Sequence, residues 1–151
     1  MAELGGRPGL LAVFTGLLHR YTGQNDIVVG TPLANRDTPE LERLIGLFVS
    51  TLAIRTQLTE DPNARQLVAQ IRENVLEGQA HQELPFEKLV EALRPERTMA
   101  WSPIFQVTFV LQNTPLASSF DVTTPAAMYD LSLFCWDEPN GIRGTFEYNT
   151  D

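Results

Sequence analysis

Nucleophile, acid/base and metal chemistry each need particular side chains at particular spacings, and this chain offers few of them. His19 and His81 are far apart and outside any His-x-x-x-His spacing, so they do not read as a metal pair. His19 closes an apolar stretch beside Arg20 and Tyr21, where an imidazole caps a helix end or meets solvent. No serine sits in Gly-x-Ser-x-Gly, and the glycines form neither a phosphate-cradling loop nor a dinucleotide fingerprint. Glu83 and Glu87, at i, i+4 spacing, read as a solvated turn or an acidic helix start rather than an acid/base pair. The single Cys135 excludes a disulfide framework and a cysteine zinc site. Read one by one, these residues assemble no catalytic or metal site.

The elements that would position any site are clearer. Leu10, Leu11, Val13, Phe14, Leu17 and Leu18 keep helical spacing between Gly9 and Gly23, which predicts a helix over roughly 10–21 after a leader loop, 1–9. Asp26 to Gly30 is a short apolar run and predicts a buried strand, with Thr31 to Asp37 as a loop. Thr38-Pro39 opens a short amphipathic helix through Leu41, Leu44, Ile45 and Phe48. Val49 to Leu58 alternates as a strand. Asp61-Pro62 opens a long helix, with Leu67, Ile71 and Val75 on one face, that fades near Gly78. Pro85 starts another through Phe86, Leu89, Val90 and Leu93, which Pro95 stops. Phe105 to Leu111 alternates as a strand, and 113–130 reads as loop. Leu131 to Trp136 and Ile142 to Tyr148 flank Asn140-Gly141, a hairpin signal. Helices alternating with strands, then a hairpin, predict a mixed-sheet α/β layer.

Composition narrows the class further. The chain has 151 residues, 43% hydrophobic and 20% charged, which is globular rather than disordered. Its net charge of −8 and the lack of a basic run argue against nucleic-acid or anionic-membrane partners. No apolar stretch approaches the ~20 residues of a membrane span, and no secretory leader is visible, so a cytoplasmic protein is expected. Lys88 is the one lysine among eleven basic residues, a bias that fits genome base composition.

Longer strings carry more information. Ile45-Gly46-Leu47-Phe48-Val49-Ser50-Thr51 resembles the "Gly-x-Phe-Val-Asn-Thr" motif of nonribosomal peptide synthetase condensation domains. His81-Gln82-Glu83-Leu84-Pro85-Phe86-Glu87 resembles their "His-Gln-Asp-x-Pro-Phe-Glu". Leu18 to Gln24 with Asp26 to Pro32, Pro103 to Val107 with Leu111-Gln112-Asn113, and Gly144 to Asp151 are similar to further stretches of the family, in order, over roughly 10–151. There are departures. Ser50 stands for Asn and Glu83 for Asp, and a later Arg-Asp-x-Ser-Arg-Asn-Pro-Leu motif survives as Arg97 and Pro103, with Ile104 for Leu.

The resemblance implies an α/β, mixed-sheet lobe of the two-lobe chloramphenicol acetyltransferase-like fold, shared by CoA-dependent acyltransferases. It implies the C-terminal lobe, truncated at both ends, because neither adjacent histidines nor Asp-Gly of the family's His-His-x-x-x-Asp-Gly occur here. In the intact domain two carrier-tethered thioester substrates are joined by an amide bond. The lobe would supply a tunnel wall and a carrier-docking surface. Its implied partners are the N-terminal lobe, peptidyl or acyl carrier domains with their phosphopantetheine arms, and an adenylation domain; no cofactor is bound directly. Tunnel or lobe-interface candidates are Asn35, Arg36, Ser50, Arg55, His81 and Gln82, and the motif-structural residues are Gly46, Phe48, Pro85, Phe86 and Glu87. Gly46 would permit close approach where helix turns to strand, Phe48 and Phe86 would anchor the core, and Arg55 would meet a carboxylate. For every polar candidate, bracing stands beside substrate contact as a reading. A non-catalytic carrier-binding module, an inactive fragment and an epimerisation-type relative stay open as alternatives.

Overall fold

The structure is a computed structural model that describes residues 8–33, 40, 44, 46, 48–59, 62–95, 102–112 and 127–150. The apolar stripe near the start folds as α1, Pro8–Thr22. It begins inside the expected leader loop, because proline suits a first helical turn: its φ is already helical and its missing N–H is one that turn leaves free. Strands β1, Asp26–Leu33, and β2, Ser50–Gln57, follow, then helices α2, Ala64–Ala80, and α3, Phe86–Leu93. Strands β3, Val107–Gln112, β4, Leu131–Glu138, and β5, Gly141–Tyr148, complete the order. One mixed sheet runs β2-β1-β3-β4-β5, with parallel pairs in the middle and an antiparallel strand at each edge. The mixed-sheet α/β expectation holds.

Several boundaries differ, each for a local reason. The loop expected at Thr31 is instead the end of β1, which continues through Pro32 opposite Thr51. Asn25 C=O accepts from Leu58 N–H at 2.7 Å, so the hydrogen-bonded pairs of this ladder fall at odd β1 positions. Pro32 therefore turns its nitrogen from β2 toward β3, and β3 pairs with β1 only at Val29–Val107 and Gly30–Thr108. The missing donor breaks no ladder bond. Helix α2 starts after Asn63 rather than at Asp61-Pro62. Asn63 Oδ1 accepts from Gln66 N–H at 3.0 Å, and Gln66 Oε1 accepts from Asn63 N–H at 3.3 Å. Nor does α2 fade at Gly78: a Cβ there would lie 3.1 Å from Ile54 Cδ1, so the glycine lets the helix sit close on β2. The expected helix through Phe48 does not extend that far; Glu40 is helical, Leu44 and Phe48 are not, and Thr38, Pro39, Leu41 and Ile45 lie outside the described residues. Most of the expected 113–130 loop lies outside them too.

Helices α1 and α2 pack side by side over one sheet face, close enough that a Cβ on Gly16 would stand 3.3 Å from Leu67 Cδ2. Beneath them Leu11, Phe14, Val29, Ile54, Ile71 and Phe109 form the buried core. Ile71 is fully buried, and removing such a side chain from water contributes about 1.5–3 kcal/mol. On the opposite face Phe105, expected within a strand, precedes β3 and is only 1% exposed. A Cβ on Gly30 would stand 2.3 Å from its ring, so the bare glycine in β1 is the floor on which that ring rests. Phe86 of α3 and Tyr129 flank Phe105, with ring centroids 5.4 and 5.6 Å away.

Candidate functional site

Arg55 meets a carboxylate, as its type suggested, and the partner is Asp26 at the start of β1. Arg55 Nε donates to Asp26 Oδ1 at 2.9 Å and Nη2 to Oδ2 at 2.6 Å, a bidentate fork that ties edge strand β2 to β1. The hydrogen bonds and charge of the guanidinium lower the Asp26 carboxyl below its ordinary value, and Asp26 in turn raises Arg55. Both side chains are largely exposed, at 62% and 47%, so the pair is a surface clasp.

The other candidates are spread out. Ser50 begins β2 opposite Leu33, at the far end of the strand from the clasp and on the other sheet face from Arg55 by alternation. His81 is exposed and caps α2, its backbone N–H reaching Gly78 C=O at 3.2 Å. Gln82 N–H reaches Gln79 C=O at 3.2 Å and Leu84 N–H reaches His81 C=O at 3.1 Å, so this motif forms the tight turn joining α2 to α3. Pro85 is the exposed N-cap of α3, and Glu87 sits exposed in its first turn. Glu83 lies in the turn ahead of the helix, so the two glutamates do not share a helical face. Asn35 and Arg36 lie outside the described residues.

Two structural roles need correction. Phe48 is half-buried rather than a core anchor, and the space that Gly46 leaves is filled by its ring, whose Cε2 would lie 3.0 Å from a Cβ at Gly46. Phe86 is also half-buried and belongs to the small cluster on the α3 side, away from the main core. His19 behaves as a cap, its Nδ1–H donating to Gln24 C=O at 2.8 Å just past α1.

Sequence reasoning missed a cleft of about 180 Å3 where β1 and β3 begin beside the last turn of α1. Leu18 and Thr22 of α1, Asp26 and Val28 of β1, and Ile104 and Gln106 ahead of β3 are among its walls. Ile104 has φ of 77° while Phe105 N–H bonds to Pro103 C=O at 3.0 Å, a strained three-residue turn. The only sequence signal was Pro103, which marks a turn without its type. Among the described residues no group of three or more His, Cys, Asp or Glu could hold a metal, and no helix is long and apolar enough to cross a membrane.

What the geometry defines is a mixed-sheet α/β unit without a catalytic cluster among its described residues, and comparison gives the chain a family. The Condensation domain profile matches residues 9–151, and the chain belongs to that family. It is 50% identical over 153 residues to one of the linear gramicidin synthase proteins of Brevibacillus parabrevis, covering 94% of this chain and 2% of that protein. It is 44% identical over 151 residues to phosphinothricin tripeptide synthetase PhsC of Streptomyces viridochromogenes, covering 93% of this chain and 14% of that one. Among solved structures, a holo four-domain nonribosomal peptide synthetase bound to AMP and glycine superposes with TM-score 0.87 at 25% identity, over 95% of this chain and 13% of that one. The X-domain in complex with OxyB from teicoplanin biosynthesis gives 0.84 at 29%, over 99% of this chain and 36% of that one. The chain spans only 2–14% of the length of these and similar curated relatives.

Proposed function

We propose that the chain is the C-terminal lobe of a nonribosomal peptide synthetase condensation domain, which forms amide bonds between carrier-tethered aminoacyl or peptidyl thioesters. The lobe acts as one wall of the reaction tunnel and as part of the surface on which carriers dock. Acid/base chemistry belongs to the His-His-x-x-x-Asp-Gly motif of the partner lobe, since no such motif occurs in residues 1–151. Substrates arrive on phosphopantetheine arms of peptidyl or acyl carrier domains, loaded by an adenylation domain of the same assembly line. Holding two tethered reactants in line lowers the barrier through proximity, and that needs both walls. Asn35, Arg36, Ser50, His81 and Gln82 are the candidates for the lobe interface or tunnel lining; Arg55 acts first as a clasp.

The observation that carries this reading is the match of residues 9–151 to the condensation family. Surface chemistry supports it. Val13, Leu17 and Tyr21 leave an apolar stripe on the outer side of α1, and Phe146 and Tyr148 of β5 are more than half exposed, with Phe146 touching Phe14. Such a patch suits a surface meant to meet more protein. The competing reading is a non-catalytic carrier-interaction module or an inactive fragment.

The test is reconstitution. The chain alone, mixed with aminoacyl- and peptidyl-loaded carriers, is expected to leave both thioesters unjoined. Fused in native order to an N-terminal lobe carrying His-His-x-x-x-Asp-Gly and to the family's closing helices, it is expected to yield dipeptide. Condensation by the chain alone would refute the lobe reading. A folded fusion that stays inactive with several substrate pairs would favour the module or fragment.

A further inference from the structure

The sheet ends in two edge strands, and they are treated differently. At β2 the bond from Leu58 N–H to Asn25 C=O sets the ladder, so even residues face β1 while the carbonyls of Arg55 and Gln57 point out of the sheet. Helix α2 caps both of them. Asn74 Nδ2 donates to Arg55 C=O at 2.9 Å, and Gln70 Nε2 donates to Gln57 C=O at 2.8 Å. A strand arriving at this edge meets acceptors already taken.

The β5 edge has no such cover among the described residues. Asn149 N–H donates to Asp130 C=O at 3.2 Å, which fixes the parity of the β4–β5 ladder: Gly141, Arg143, Thr145 and Glu147 bond to β4. Ile142, Gly144, Phe146 and Tyr148 therefore turn N–H and C=O away from the sheet, and all four are exposed. Open backbone groups along an eight-residue strand make a template for another strand.

The sequence of β5 suits a second β5. Two copies laid antiparallel about Thr145 place Ile142 opposite Tyr148 of the partner subunit and Gly144 opposite the partner's Phe146. These are the hydrogen-bonding positions, so every outward-facing residue finds a partner. Sliding by two residues leaves one of the four beyond the facing strand, and sliding by one sets outward groups against inward ones. The same register puts Arg143 opposite the partner's Glu147, twice by symmetry. Arg143 uses Nε for Glu138 at 2.9 Å, which leaves its Nη donors to reach across the seam. Charges that discourage an unrelated strand at this edge thus favour this one.

We propose that two copies of this chain join through β5, antiparallel with Thr145 on the two-fold axis, so that two five-stranded sheets become one. The contact is isologous and uses up the β5 edge, and the capped β2 edges end the joined sheet, so assembly stops at the dimer. The proposal stands apart from the condensation reading, since it rests on the two edges alone.

Sedimentation equilibrium of the 151-residue chain tests it, with folding of each variant checked by circular dichroism. A monomer–dimer equilibrium is expected, with no larger species. Arg143→Glu alone and Glu147→Arg alone should each weaken self-association roughly tenfold, because both cross-strand pairs become like-charged. Mixing the two variants makes both pairs complementary again and should restore the dimer. Thr145→Cys should crosslink to itself under mild oxidation, whereas Ile142→Cys, which faces the partner's Tyr148, should crosslink far less. If a charge variant fails to fold, the two cysteine variants decide alone. A chain that stays monomeric throughout, assembly beyond the dimer, equal crosslinking at both positions, or folded charge variants that do not rescue each other would each overturn the pairing.

Discussion

The two faces of the sheet are built on different principles. Under α1 and α2 the interior is continuous and mainly apolar, with Leu11, Phe14, Ile54, Ile71, Val75 and Phe109 closed off from water and Thr15, Thr31 and Thr56 also buried. The other face is a patchwork. One buried hydroxyl pair, Thr108 donating to Ser132 at 2.9 Å, sits on it, as do the Asp26–Arg55 clasp and the Phe105 cluster. Farther out, Arg143 lies 4.5 Å from the Trp136 ring centroid and pairs with Glu138 at 2.9 Å. Non-directional burial carries the first face, whereas the second depends on individual fits. Substitutions on the first should therefore cost in proportion to volume, and on the second according to whether one contact survives.

The sharpest challenge to that contrast is the smallest change. Gly30→Ala adds one methyl, yet it must expel the Phe105 ring, and the expected loss is about 3–5 kcal/mol, comparable to deleting a buried phenylalanine. Gly9→Ala, with open space around it, is the control. Urea unfolding of both decides; if Gly30→Ala costs no more than the control, the second face has slack and the contrast fails.

Next comes a matched pair of truncations. Ile71→Ala should cost about 2–5 kcal/mol, as large-to-small core changes do. Phe86→Ala removes more atoms, but from a half-buried position, and should cost less than Ile71→Ala. The reverse order in thermal denaturation would make the α3 cluster the true core.

The smallest effect belongs to the clasp and depends on pH. Because Arg55 lowers the Asp26 carboxyl, the stabilisation is fully present above the ordinary value of 3.8 and is lost as pH falls through the lower folded value. Asp26→Asn should thus be slightly less stable than the parent at pH 6, with the gap closing below pH 3.8. A gap that persists in acid would mean that the carboxyl acts through geometry rather than charge.

How much of this was legible beforehand follows the same division. Periodicity located α1, α2 and the β4–β5 hairpin, because burial leaves a repeating apolar signature at Leu67, Ile71 and Val75 and along the strands. The Asn63–Gln66 capping box was readable too, but the Asp61-Pro62 signal just before it drew the boundary early. Pro32 was unreadable as strand, since whether a proline fits depends on which neighbour its nitrogen faces. The family phrases pointed to Arg55 and to the His81–Glu87 turn, yet not to Asp26 as partner, because the clasp joins residues distant in sequence. Gly30 looked like the end of a strand. Only the fold reveals that a ring rests on it.

The seam between β1 and β3 has a kinetic consequence. Both edge pairs are local: β4 and β5 turn back through Pro139 and Asn140, and β1 and β2 are near neighbours in sequence. A tight hairpin such as β4–β5 closes in about 1–10 μs. Val29 and Val107 are separated by roughly half the chain, and among the described residues the strands of the two halves pair at two bridged positions. Bringing them together costs loop entropy that few contacts repay at once. The halves should therefore assemble separately and zip along this seam last, making it the slow step of refolding and the first place the sheet parts under load.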